Sequence, residues 1–108
     1  MADVLGIFEQ AVLLSLMTPD EAYGRAILRN VQIRLNRQIT AGAIYATLDR
    51  LEEKGLVSSH EEAGDEGRAG RPRRFYVIEA DGMRALRSAR EAVERIWSGV
   101  RLPADGIA

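Results

Sequence analysis

The chain has 108 residues, 46% of them hydrophobic and 29% charged, enough for one compact unit and too short for a catalytic domain plus a separate regulatory one. It has no cysteine, which excludes disulfides and thiolate chemistry, and its lone His60 would need several carboxylate helpers to hold zinc. The formal net charge of -1 lacks the basic footprint that usually announces a nucleic-acid partner, so charge has to be read locally.

Met1 to Gly6 lack the basic start, apolar stretch and small-residue cleavage site of a signal peptide, and no apolar run approaches membrane-spanning length. The expectation is a cytoplasmic protein without a membrane partner. Residues 4–17 are apolar almost all round, which predicts a helix buried on more than one face and in need of a partner to cover it. Thr18, Pro19, Asp20 and Glu21 read as a helix start, with Thr as N-cap, Pro at the first position and Glu reaching back. The second helix is expected to run from there to about Leu35, with Tyr23, Ala26, Ile27 and Val31 at helical spacing and Gly24 allowing a neighbouring helix to approach closely.

After a link over residues 36–39, Thr40 caps a third helix whose inward stripe is Ile44, Leu48 and Leu51 and which stops at Gly55, a residue suited to a left-handed helix ending. Residues 56–61 and 74–78 are expected strands of a hairpin, joined by a polar loop containing Gly64, Gly67 and Gly70. A last helix is predicted from Ala80 to about Val100, with Met83, Leu86, Val93, Trp97 and Val100 forming a helix-pairing stripe and Arg90 in its missing apolar slot. The remaining residues, 101–108, read as a frayed tail.

Three helices followed by a hairpin make the fold class mainly α with a small β-hairpin, a winged helix-turn-helix over residues 1–79 with a C-terminal dimerisation helix over 80–100. Once its inward stripe is set aside, the third helix presents Ala41, Gly42, Tyr45, Ala46 and Asp49 after Thr40, a face that is flat and small at its start. Small residues let a helix end approach DNA closely, and Tyr45 can donate a hydrogen bond to a phosphate or base edge; the alternative is that Tyr45 packs against the domain. Arg68, Arg71, Arg73 and Arg74 fall within seven residues free of acids, which suits a narrow minor groove. A merely solvated arginine loop is the plainer alternative. The preceding run Glu61, Glu62, Asp65 and Glu66 reads as a solubilising stretch, since a calcium loop's ligand spacing is absent.

These segments resemble a known family. Ile44-Tyr-Ala-Thr-Leu-Asp-Arg-Leu-Glu-Glu-Lys-Gly-Leu-Val57 looks like the recognition-helix signature of PadR-type regulators, and Gly70-Arg-Pro-Arg-Arg-Phe-Tyr76 looks like their wing. The Tyr23-Gly24 pair is similar to the same family, and the single short C-terminal helix looks like its small subclass. The resemblance implies a homodimeric repressor, with the first and last helices at the dimer interface and double-stranded DNA as partner. Two departures stand out. Thr40-Ala41-Gly42-Ala43 replaces the family's usual Ser or Thr followed by Pro-Gly-Thr, and Glu79 stands where a Thr usually caps the last helix, leaving Asp81 to share that task.

Two readings stay open for Trp97: a packing anchor of a dimer together with Leu86 and Val93, or a platform that stacks a planar aromatic effector between two copies. Arg90 on the same stripe would snorkel or pair with Glu94. No cofactor, metal site or catalytic set is expected, because no phosphate loop, nucleophile elbow or metal-ligand spacing is present. The rival to DNA binding is a winged-helix module that binds protein, for which the near-zero charge is the best argument.

Overall fold

The computed structural model describes residues 4–63 and 72–104. Helix α1 (Ile7–Ser15) opens at Gly6, whose N–H donates to the Glu9 carboxylate at 3.0 Å, an acid well placed in the first turn. It starts later and ends earlier than expected, but its apolar girdle behaves as the composition requires. Val12 and Leu13 are fully buried, whereas Ile7, Leu14 and Met17 stay exposed. The buried Ser15 hydroxyl is satisfied by donating to the Val12 carbonyl at 2.6 Å.

The second predicted helix needs correction. Thr18 makes no side-chain cap, Pro19–Glu21 is a single 3-10 turn, and helix α2 (Gly24–Leu35) begins only after a break at Ala22 and Tyr23. The physical reason lies fifty residues downstream. The Ala22 carbonyl accepts the Tyr76 N–H at 2.9 Å, and Tyr23 pairs as an antiparallel bridge with Phe75. Backbone groups that a continuous helix would have used internally are thus taken by the wing, and tertiary pairing overrides a local start signal. Tyr23 is consequently extended, at the N-cap of α2, and belongs to no helical stripe.

Asn36, with φ of 52°, closes α2 in the left-handed region that Asn tolerates. Helix α3 (Ala41–Glu53) follows, capped as predicted: the Thr40 hydroxyl accepts the Ala43 N–H at 3.1 Å. Its end is equally legible. Gly55 has φ of 77°, its N–H donates to the Glu52 carbonyl, and Leu56 N–H reaches back to Leu51, each at 2.9 Å, completing a Schellman ending.

Strands β1 (Val57–Glu62) and β2 (Arg73–Ile78) pair antiparallel, from Val57 opposite Ile78 to Glu62 opposite Arg73. Helix α4 (Ala80–Trp97) is anchored where the Glu79 N–H donates to the Leu56 carbonyl at 2.9 Å. It ends three residues short of the expected Val100, because Gly99 turns the chain with φ of 74°. Glu79 does not cap α4 through its side chain; its carboxylate accepts the Ser58 hydroxyl at 2.7 Å, and Asp81 pairs with Arg84 instead. The core lies where α1, α2 and α3 meet, around Leu13, Ile27, Val31, Ile44, Leu48 and Leu51, with Val57 and Tyr76 sealing it from the hairpin and Ala89 from α4.

Candidate nucleic-acid interface

Burial of Ile44, Thr47, Leu48 and Leu51 fixes the rotation of α3 and leaves Thr40, Ala41, Gly42, Tyr45, Ala46 and Asp49 all exposed. The expected outer face is therefore one continuous surface. Its first turn carries no side chain larger than a methyl after Thr40, which lets the backbone come close to a partner. Tyr45 is 46% exposed, so it is neither free of the domain nor swallowed by it. Its position is set by Gly24: a β-carbon there would overlap the Tyr45 hydroxyl and come within 2.9 Å of the ring carbon bearing it. The close approach expected of Gly24 is thus to one aromatic side chain of the third helix.

Asp49 forms no ion pair among the described residues and lies near Tyr76, whose hydroxyl pKa is raised above its ordinary value by burial and, secondarily, by this carboxylate. Thr47 escaped the sequence reading because a threonine inside a recognition face looks polar; it is buried, and its hydroxyl accepts from the Arg50 guanidinium at 3.1 Å.

Strand alternation sends the two described wing arginines to opposite faces. The Arg73 guanidinium lies 4.2 Å from the centroid of the Tyr23 ring, a cation–π contact, and Tyr23 meets Phe75 edge-on at 5.5 Å. Arg74 reaches across to Glu61 at 2.8 Å and to the Ser59 hydroxyl at 3.0 Å, and Ser59 in turn donates to Glu52 of α3. Arg68 and Arg71 lie outside the described residues. Of the acidic run, Glu61 pairs with Arg74 and Glu62 lies 3.4 Å from His60, which itself stacks on Phe75 at a centroid distance of 6.1 Å. His60 is a half-exposed strand residue.

Of the expected pairing stripe, Met83, Val93, Trp97 and Val100 are exposed and Leu86 turns inward. Gly82 and Ala89 are buried, and Ala85 and Leu86 pack against the protein's own core. The exposed apolar residues are Met83, Val93, Ile96 and Trp97, continued by Val100, with Ile96 the barest at 75% and missed by the heptad reading. Arg90 pairs with Glu94 at 3.7 Å, as one of its two readings had it.

A helix-turn-helix whose third helix offers a small, capped and outward-facing surface, followed by a hairpin tied back to the second helix, defines a winged-helix DNA-binding protein. The transcriptional regulator PadR-like family matches residues 13–88, and the chain belongs to that family. It is a DNA-binding transcriptional regulator. Among solved structures, a PadR-like transcription factor from Bacteroides fragilis shares the fold at 22% identity and a TM-score of 0.72, covering 86% of this chain and 85% of that one. A PadR family transcriptional regulator from Eggerthella lenta is 29% identical with a TM-score of 0.63, over 82% of this chain and 75% of that one. One from Clostridium difficile has 22% identity and a TM-score of 0.65, over 86% and 96%. Among curated proteins none matches the chain. No helix among the described residues is long and apolar enough to cross a membrane.

Proposed function

We propose that the protein is a homodimeric repressor that reads a palindromic operator, with α3 in the major groove and the wing at the minor groove. The observation that carries this is the exposed α3 face from Thr40 to Asp49, small at its tip and backed by a fully buried stripe. Residues 1–79 form the reading head and residues 80–100 the dimerisation helix, with 101–108 a tail. Tyr45 and Thr40 donate to phosphate or base edges, Ala41, Gly42 and Ala46 permit close approach, and Asp49 accepts from a base amino group. Arg71 and Arg73 enter the minor groove, where Arg74 joins them only on releasing Glu61. Such a regulator works in the cytoplasm and performs no catalysis.

The dimer is supported by the exposed apolar residues on and beside two neighbouring helices: Ile7 and Leu14 of α1 with Met17 just after it, and Val93, Ile96 and Trp97 of α4. Two-fold symmetry would place the α3 pair about 34 to 36 Å apart, one DNA turn. Trp97, 47% exposed, would then face its copy, anchoring the dimer and offering a stacking surface for a planar aromatic effector. An effector would weaken DNA binding only by favouring a different separation of the two heads.

Selection from random duplex DNA tests the main reading; enrichment of an inverted repeat is expected, and failure to enrich any sequence leaves the protein-binding alternative. Sedimentation at micromolar concentration decides the dimer, and a reporter placed behind the selected sequence decides repression. Titration with planar aromatic dyes, followed by Trp97 fluorescence with operator present, is expected to give saturable quenching with DNA release.

A further inference from the structure

Residues 22–48 contain Arg25, Arg29, Arg34 and Arg37 and not one acid. The net charge of -1 therefore conceals a separation along the chain: +4 in this stretch and -5 in the rest. In space the stretch is α2, the turn after it and the first half of α3, that is, the helix-turn-helix itself. All four arginines are exposed, and none makes an ion pair among the described residues; Arg34 donates to the Asn30 side chain.

With Ile27 and Val31 turned into the core, Arg25 and Arg29 share the outer side of α2, one turn apart. This helix is held alongside α3 at both ends, by Gly24 under Tyr45 and by Gln32 Nε2 donating to the Ile39 carbonyl at 3.0 Å. Arg37 lines an open cleft of about 590 Å³ on the flank of α3, together with Gln38, Thr40, Thr47 and Arg50. The described wing arginines differ in being engaged already, Arg73 by the Tyr23 ring and Arg74 by Glu61.

We propose that Arg25, Arg29 and Arg37 make the main sequence-independent grip on the DNA phosphate backbone, with Arg50 closing the flanking cleft and the wing contributing second. This rests on the DNA-binding reading above. A guanidinium with no acid partner gives up no ion pair on meeting a phosphate, whereas Arg74 has to leave Glu61. Like charges crowded on one helix repel one another, and a polyanion laid across them relieves that repulsion. In a helix-turn-helix the first of the two helices crosses the backbone, which is where α2 would stand with α3 in the groove.

The test measures affinity against potassium chloride concentration for the selected operator and for a scrambled duplex. The triple variant Arg25→Ala, Arg29→Ala, Arg37→Ala is expected to reduce the log–log slope by roughly three on both duplexes, since each phosphate contact contributes about 0.9. The α4 control Arg87→Ala should change it by less than about half a unit. Alanine at these exposed positions of α2 and the turn after it preserves folding, checked by circular dichroism, and the lysine triple variant should restore the slope because charge alone is required. An unchanged slope in the alanine triple variant overturns this proposal and leaves the DNA-binding reading intact, as does a loss confined to the operator. A wild-type chain that binds neither duplex overturns both.

Discussion

Glycine to alanine inside a helix ordinarily stabilises a protein by up to about 1 kcal/mol. At Gly82 the sign should reverse. A β-carbon there would overlap the Leu56 carbonyl oxygen and stand 2.8 Å from Ile78 Cγ1. The obstacle is main chain, and that same carbonyl accepts the Glu79 N–H that anchors the start of α4. Relief thus requires α4 to shift off the α3–β1 turn, at about 1–3 kcal/mol for overpacking and about 1 kcal/mol for a weakened hydrogen bond. Set against the helix gain, Gly82→Ala should destabilise by roughly 1–3 kcal/mol, with the melting temperature falling on the order of 4–8 °C per kcal/mol for a domain of this size. Gly42→Ala is the matched contrast. The nearest atom outside its own surroundings is Thr40 Oγ1 at 4.0 Å, so the methyl group enters open space and stability should rise by a few tenths of a kcal/mol or more. Yet the same methyl stands on the surface assigned to DNA, and operator affinity should fall. Urea unfolding and operator titration of both variants decide the matter. A Gly82→Ala protein as stable as wild type, or a Gly42→Ala protein with undiminished operator affinity, would refute the reasoning at that position.

Tyr45→Phe removes one hydroxyl from an exposed position and should weaken operator binding about tenfold with an unchanged melting temperature, as a lost hydrogen bond to a charged group implies. A loss of binding that tracks a loss of stability would mean that Tyr45 serves packing. Glu9 has its pKa lowered, first by the Gly6 N–H and then, against some burial, by Lys54. Its stabilising effect is therefore present above pH 4.5 and is lost as pH falls through the depressed value; Glu9→Gln should narrow the stability gap to wild type as pH drops, measured by melting at a series of pH values. Ile96→Glu places a charge at the barest apolar position of α4 and should shift sedimentation to the monomer without lowering helix content, whereas a dimer that persists would locate the interface elsewhere.

Where structure follows from neighbours in sequence, reading was reliable. Thr40 as cap, Gly55 with Leu56 as helix ending and Gly24 as a point of close approach all depend on a few adjacent residues or on the absence of a side chain. The early helix start failed for the complementary reason: nothing near Ala22 and Tyr23 reveals that Phe75 and Tyr76 will claim their backbone. On α4 the large residues of the pairing stripe stay outside except Leu86, while the side that meets the core is marked mainly by Gly82, Ala85 and Ala89. Small residues bring a helix near its neighbour but carry little hydrophobic signal. A total charge near zero hides the arginines of α2, and only the absence of acids from residues 22–48 reveals them.

Tyr23 joins the second helix to the wing. As the residue preceding α2 it sets where that helix begins, and through Phe75 and the Arg73 guanidinium it holds the tip-side half of β2. A tilt of α2 would therefore carry this strand of the wing with it. A signal arriving through α1 and α4 would turn each head as a single body, so grip on the two grooves would be lost together. Induction would look like one concerted step, and a half-engaged state with the wing released first would not accumulate.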